Sequence, residues 1–206
     1  MKILLINGSA RQHGCTDRGL EEIAATLKAE GIDSEIIWIG NNVRGCAACG
    51  QCRKLGHCVF ADDIVTEVAQ KLDTADGIII GTPVYYASPN GTVLAFLDRL
   101  FYSASSKLVR KPAACIAAAR RAGTTASLDV ILKYFTINQM PVVSSTYWNM
   151  IHGMNREDVD HDLEGLQTMR NLAKNMAWLV KAIDMAKKAG LADPDIDKSQ
   201  KTNFVR

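Results

Sequence analysis

The 206-residue chain predicts an α/β fold of three layers, with a five-stranded parallel sheet in the order 2-1-3-4-5 between two layers of helices. Three observations predict it. Short apolar runs of strand type alternate five times with longer segments of helical periodicity. The first run ends in a Gly/Ser/Arg loop that leads directly into a helix. No linker, repeat or low-complexity tract divides the chain, so positions 1–190 read as one domain and 191–206 as a polar tail.

The elements follow in order. Lys2–Asn7 (KILLIN) is nearly all apolar and makes a buried first strand; Gly8–Cys15 is a loop. Thr16–Glu30 places Leu20, Ile23, Ala24 and Leu27 on one helical face, and Gly31 ends it. Ser34–Ile39 is the second strand, followed by a cysteine-rich loop over Gly45–Ala61. Asp62 or Asp63 caps a helix running to about Leu72. Gly77–Gly81 is the third strand, and Thr82–Asn90 a loop with two prolines and two tyrosines. Gly91–Ser103 is helical, Ala113–Ala119 a strand of small residues, and Thr124–Ile137 a helix. Val142–Trp148 is the fifth strand, Asn149–Asp158 a polar loop, and Asp160–Lys188 one long helix that Gly165 can interrupt. Five such units suit the flavodoxin-like strand order. Ligands then sit beyond the carboxyl ends of the strands, where the order switches between strands one and three.

Composition narrows the function. Hydrophobic residues make up 48% and charged residues 22%, ordinary values for a globular protein. A net charge of +2 gives no case for nucleic acid or an anionic membrane. The first apolar run is too short for a signal peptide, and no stretch approaches the ~20 residues of a bilayer span. The expected location is the cytoplasm, where thiols stay reduced, so the six cysteines do not read as three disulfides.

Four of those cysteines, Cys46, Cys49, Cys52 and Cys58, follow C-x2-C-x2-C-x5-C spacing. Bacterial ferredoxins hold iron–sulfur clusters with a similar run, whereas structural zinc usually takes two distant pairs. A cluster is the first reading; zinc or four free thiols are the alternatives. Arg44, Arg53, Lys54 and His57 can offset its charge, and Gly45, Gly50 and Gly56 permit a tight backbone. The loop from Gly8 to Thr16 offers hydroxyls at Ser9 and Thr16, a forked cation at Arg11, and the positive end of a helix. That is phosphate-binding chemistry, although the segment also reads as a polar strand–helix turn with a capping Thr. It is neither a P-loop, because Cys-Thr follows Gly14, nor GxGxxG.

Asn7–Thr16 resembles the GSPRxxGNT phosphate loop of NAD(P)H-dependent FMN reductases and iron–sulfur flavoproteins, with Ala10 in place of Pro and Cys15 in place of Asn or Ser. Thr82–Tyr86, Asn90-Gly91 and Leu97-Asp98-Arg99 resemble that family's TPVYxxxxxG…DR block. Gly45–Cys58 with Asp62-Asp63 is similar to the compact cysteine motif of the iron–sulfur branch. The resemblance covers about residues 1–150 and implies a flavodoxin-like FMN-binding domain.

It implies that Ser9, Arg11, Cys15 and Thr16 surround the FMN phosphate. Thr82, Pro83, Val84, Tyr85 and Tyr86 would lie along the flavin ring. The backbone of Ala119, Gly123 and Thr124 would meet flavin O2 and N3, with Arg120 or Arg121 near N1–O2. Cys46, Cys49, Cys52 and Cys58 would hold a 4Fe-4S cluster, with zinc or no metal as alternatives. Asp98 and Arg99 read as a helical ion pair as readily as anything catalytic.

The implied activity is hydride transfer from NAD(P)H to FMN, then electron transfer to a flavin, quinone, iron–sulfur centre or ferredoxin-like protein. No catalytic side chain is required, because the flavin carries the chemistry. A flavodoxin-type electron carrier without NAD(P)H activity is the alternative, and a non-redox phosphate-binding module a third. Carriers are usually acidic, and a pI near 8.2 speaks against one. A homodimer or homotetramer is expected, with no nucleic-acid or membrane partner.

Overall fold

A computed structural model describes residues 1–204. The last two positions of the predicted tail, 205 and 206, lie outside the described residues. Strands β1 (Lys2–Asn7), β2 (Asp33–Trp38), β3 (Gly77–Tyr85), β5 (Ala113–Ala119) and β6 (Met150–His152) form a parallel sheet in the order β2-β1-β3-β5-β6, and β4 (Ser88–Pro89) pairs antiparallel with β3. This is the predicted strand order with one short hairpin strand added.

The sheet is covered on both faces, which is why the middles of its central strands are apolar without alternation. Leu4, Ile6, Ile78 and Ile80 point to one side, where they meet α3 (Ile64–Lys71), α4 (Gly91–Leu108) and α5 (Thr124–Ile137). Ile3, Leu5, Ile79 and Ile116 point to the other, against α1 (Cys15–Ala29) and α7 (Leu163–Lys188). Two short helices, α2 (Cys52–Leu55) and α6 (Arg156–Val159), sit within connections. Asp63 caps α3 by accepting from the Val65 amide at 3.1 Å.

Several predicted boundaries move, each for a physical reason. Val142–Trp148 is not a strand. Pro141 and Val143 bond to Ala113, and Asn149 onward bonds to Ala117 and Ala119, but the chain between leaves the ladder. There Ser145 Oγ bonds Tyr147 O and Asn149 Oδ1, each at 2.7 Å, a local alternative to strand pairing. The pairing strand is therefore β6, inside the segment read as polar loop. Thr82–Asn90 is not loop either, because β3 continues to Tyr85 and turns back through β4.

Helix α4 passes the predicted end at Ser103 after a kink at Ala104 (φ −131°, ψ 19°). Gly165 does not break α7. It lies in the first turn, where Asp162 accepts its amide at 2.9 Å and any Cβ would strike that carboxylate. As far as residue 204 the tail has no regular structure, and Arg110 ties it down through Asp193 and the Pro194 carbonyl, both at 3.0 Å.

Phe96 is fully buried between α4 and the sheet. Phe96→Ala is expected to cost about 3–5 kcal/mol. A denaturant titration followed by circular dichroism reads this directly.

Candidate functional site

The carboxyl ends of β1 and β3 meet without side chains. Gly8 N–H donates to Gly81 O at 2.9 Å. A Cβ on Gly8 would lie 2.8 Å from that carbonyl, and one on Gly81 would lie 2.7 Å from Thr16 Cγ2. Glycine at both positions lets the start of α1 settle directly on the strand ends. Asn7 then organises the loop from within the core. Its Oδ1 accepts Ser9 N–H at 3.0 Å, and its Nδ2 donates to Gln12 O at 2.8 Å and Asp17 Oδ1 at 3.2 Å. Ser9 Oγ accepts the Arg11 amide at 3.1 Å, and Trp38 Nε1 donates to Ser9 O at 2.7 Å.

This loop fits a phosphate. Gly14 caps α1 with no side-chain bond, so the amides of the first turn await an acceptor. Thr16 Oγ1 is buried with no hydrogen-bond partner in the protein. A buried hydroxyl without a partner is unfavourable, and an anion over the helix start would satisfy it. The nearby Asp17 carboxylate is already engaged by Asn7, by His13 at 3.1 Å and by Arg156 at 3.4 Å. Arg11 stands exposed at the rim. The Cys15 side chain turns the other way. Its thiol donates to Asn155 O at 3.1 Å and Gly153 O at 3.5 Å, and burial raises its pKa.

The loops after β3 and β5 complete the edge. Thr82 Oγ1 donates to Pro83 O at 3.0 Å and accepts Asn90 N–H at 3.1 Å, so its hydroxyl serves the hairpin. Tyr86 (φ 49°) and Ala87 (φ 61°) form the turn, both left-handed, as a type I′ hairpin demands. Gly123 sits against this tip at φ 91°, where a Cβ would lie 2.7 Å from both Ala87 Cα and Val84 Cγ1. Tyr85 and Tyr86 are exposed. Ala119 and Thr124 are buried: the Ala119 carbonyl accepts Gly153 N–H at 3.1 Å, and Thr124 Oγ1 lies 3.4 Å from Met150 Sδ. Arg120 and Arg121 both face solvent.

The four clustered cysteines line one cavity of about 320 Å³. Cys46 and Cys49 are exposed, while Cys52 and Cys58 are half-buried. Among the described residues, no three His, Cys, Asp or Glu side chains converge closely enough to hold a metal ion. The donors share a cavity without meeting at a point. Cys115 lies apart in the core, its pKa raised by burial.

Asp98 and Arg99 do not pair with each other. Tyr134 Oη donates to Asp98 at 2.5 Å, and Arg99 pairs with Asp63 across the cysteine loop. Sequence reasoning missed Asn7, Trp38 and Arg99 as site-forming residues. Asn7 before Gly8 was the one local signal, since a polar residue closing an apolar strand needs internal partners.

An iron-sulfur flavoprotein of Methanocaldococcus jannaschii is 31% identical to this chain over 194 residues, spanning 89% of this chain and 99% of that protein. An iron-sulfur flavoprotein of Methanosarcina thermophila is 29% identical over 188 residues, spanning 89% and 97%. Among solved structures, RosB with bound 8-demethyl-8-formylriboflavin-5'-phosphate superposes with a TM-score of 0.70 at 14% identity, over 100% of this chain and 92% of its own. The WrbA-like flavodoxin of Agrobacterium tumefaciens gives a TM-score of 0.63 at 18% identity, over 88% and 98%. These likenesses place the fold as flavodoxin-like. The family model for NADPH-dependent FMN reductase matches residues 1–155, and the chain belongs to that family.

Proposed function

We propose that the chain is an FMN-dependent oxidoreductase that accepts hydride from NAD(P)H and passes electrons to a small-molecule or redox-protein acceptor. The observation that carries this reading is the buried, unpartnered Thr16 hydroxyl at the start of α1, beside the Gly8–Gly81 contact. Bound there, FMN supplies the hydride chemistry itself.

The protein's part is to bind and orient. Thr16 Oγ1, Ser9 and the first amides of α1 take the phosphate, and Arg11 at the rim adds a cation. Asn7 and Trp38 hold the loop in shape from behind. Val84, Gly123 and the hairpin tip wall the ring side, and the exposed Tyr85 and Tyr86 lie where a second substrate would pass. In this reading the amides of Gly123 and Thr124 meet the pyrimidine edge, the Gly123 carbonyl being taken by the Ser127 amide at 3.0 Å.

Cys46, Cys49, Cys52 and Cys58 form a donor set suited to a 4Fe-4S cluster, which would pass electrons singly. Closure of the loop onto such a centre is part of this proposal, because the thiols do not converge without it. Assembly as a homodimer or homotetramer belongs to the same reading.

Anaerobic addition of NADPH or NADH to the FMN-loaded protein should bleach the flavin absorbance. No bleaching with either nucleotide would turn the assignment to an electron carrier. Thr16→Val keeps the contact with Gly81 and removes the hydroxyl. It should weaken FMN binding by about 10- to 100-fold, read by fluorescence titration of the apoprotein, whose own melting temperature should be no lower than wild type.

A further inference from the structure

The connection from β2 to α3 carries only one turn of helix, α2. Ile39 and Val43 anchor its start in the core and Thr66 Oγ1 holds Phe60 O at 3.3 Å, but one side chain of α4 touches both ends of its cysteine segment. Arg99 is 1% exposed, an unusual position for a guanidinium. Its donors reach both ends of the cysteine segment. Nη1 donates to Arg44 O at 3.3 Å, before Cys46, and Nη2 donates to Phe60 O at 2.8 Å, after Cys58. The fork closes on Asp63, with Nη2 at 3.1 Å from Oδ1 and Nη1 on Oδ2. The remaining donor, Nε, points at Cys58 Sγ from 3.3 Å. The Phe60 ring lies 4.4 Å from Arg44 and 5.3 Å from Arg99, stacking the same assembly from one side.

We propose that Arg99 is a positioning residue of the four-thiol centre: it staples both ends of the cysteine loop to α4 and presents Cys58 to the cavity with a cationic N–H donor on its sulfur. This rests on the reading of the loop as the seat of an iron–sulfur cluster. A lysine could supply the charge, but its point-like ammonium cannot span two carbonyls, a carboxylate and a sulfur in one plane. One carboxylate, Asp63, balances the cation, and the further donors go to neutral carbonyls and the thiol. A cationic donor on a ligating sulfur favours the more negative, reduced state of the centre and so raises its reduction potential. The flavin crevice is spared. Gly91, which opens α4 at that edge, is eight residues before Arg99, or about 12 Å along the helix.

The test compares wild-type protein with Arg99→Met and Arg99→Lys, each purified anaerobically with its FMN. Two readouts are taken. In chelator-treated protein, tryptic cleavage at Arg53 and Lys54 should be at least about tenfold faster in both variants, with FMN content unchanged, because a stapled loop opens rarely. In cluster-loaded protein, a redox titration followed by electron paramagnetic resonance should give a lower midpoint potential for Arg99→Met. Arg99→Lys, which keeps the charge, should fall nearer wild type. Cleavage at the wild-type rate in both variants overturns the staple. An unchanged potential in an intact Arg99→Met cluster overturns the role at Cys58. If Arg99→Met loses its FMN, Arg99→Lys decides the staple by its cleavage rate, and Arg99→Gln, which is neutral and keeps an amide donor, takes the place of Arg99→Met in the redox titration. Wild-type protein with FMN but neither iron nor sulfide removes the cluster reading and this proposal together, while leaving the flavin assignment standing.

Discussion

The hydrogen bond from the Gly8 amide to the Gly81 carbonyl is the constraint on which the crevice depends. It joins β1 to β3 one residue beyond their apolar runs, at the point where strand order reverses. No side chain fits between them: a Cβ on either glycine would strike the opposite backbone, Val93 or Thr16. Because the space is empty of side chains, α1 begins directly over the strand ends and brings its amides and the Thr16 hydroxyl to bear on one spot. Asn7 and Trp38 then replace the backbone partners that a sharply curled loop forfeits. The atoms that pack the strand ends tightly are the same ones the proposal gives to the phosphate.

Helix α4 links the two candidate centres. Its first turn is capped by Asn90 and bonded to Thr82 through the Asn90 amide, so it belongs to the flavin edge. Val93 seals Gly8 from beneath. Further along, Arg99 and Tyr102 form a wall of the thiol cavity. One element therefore sets the spacing between the two candidate sites. The cysteine loop has little structure of its own and is held between that helix and the start of α3.

Much of the fold was legible because burial on both faces leaves a plain mark. KILLIN, GIIIG and AACIAAA are continuous apolar or small runs, and each proved to be a central strand. The tight strand–helix loop proposed as the phosphate cradle was legible because glycines, hydroxyls and a helix start fall together between Gly8 and Thr16. The edge strand was not. Val142–Trp148 has strong strand propensity, yet what decides pairing is which residues stay in register with β5, and Ser145 diverts the middle of the segment. Arg99 was hidden for a different reason. In a helical pattern an arginine beside an aspartate looks like a surface pair, and nothing local says that residues 36 and 41 positions away will gather around it. Cys15 shows the limit of matching motifs by residue type: the position belongs to the cradle, but its sulfur serves the loop after β6.

The break in the ladder outside β5 has a consequence for assembly. That strand is engaged on its outer side at Ala113 and again from Ala117 to Ala119, with the excursion of 144–148 between. Beyond it, β6 is only three residues long. This margin of the sheet offers no uninterrupted row of backbone donors and acceptors, so another chain cannot template a strand against it. Copies meeting on this flank must recognise one another through side chains such as the exposed, edge-to-face Tyr147 and Trp148, which makes association there a matter of surface shape and reversible by mutation.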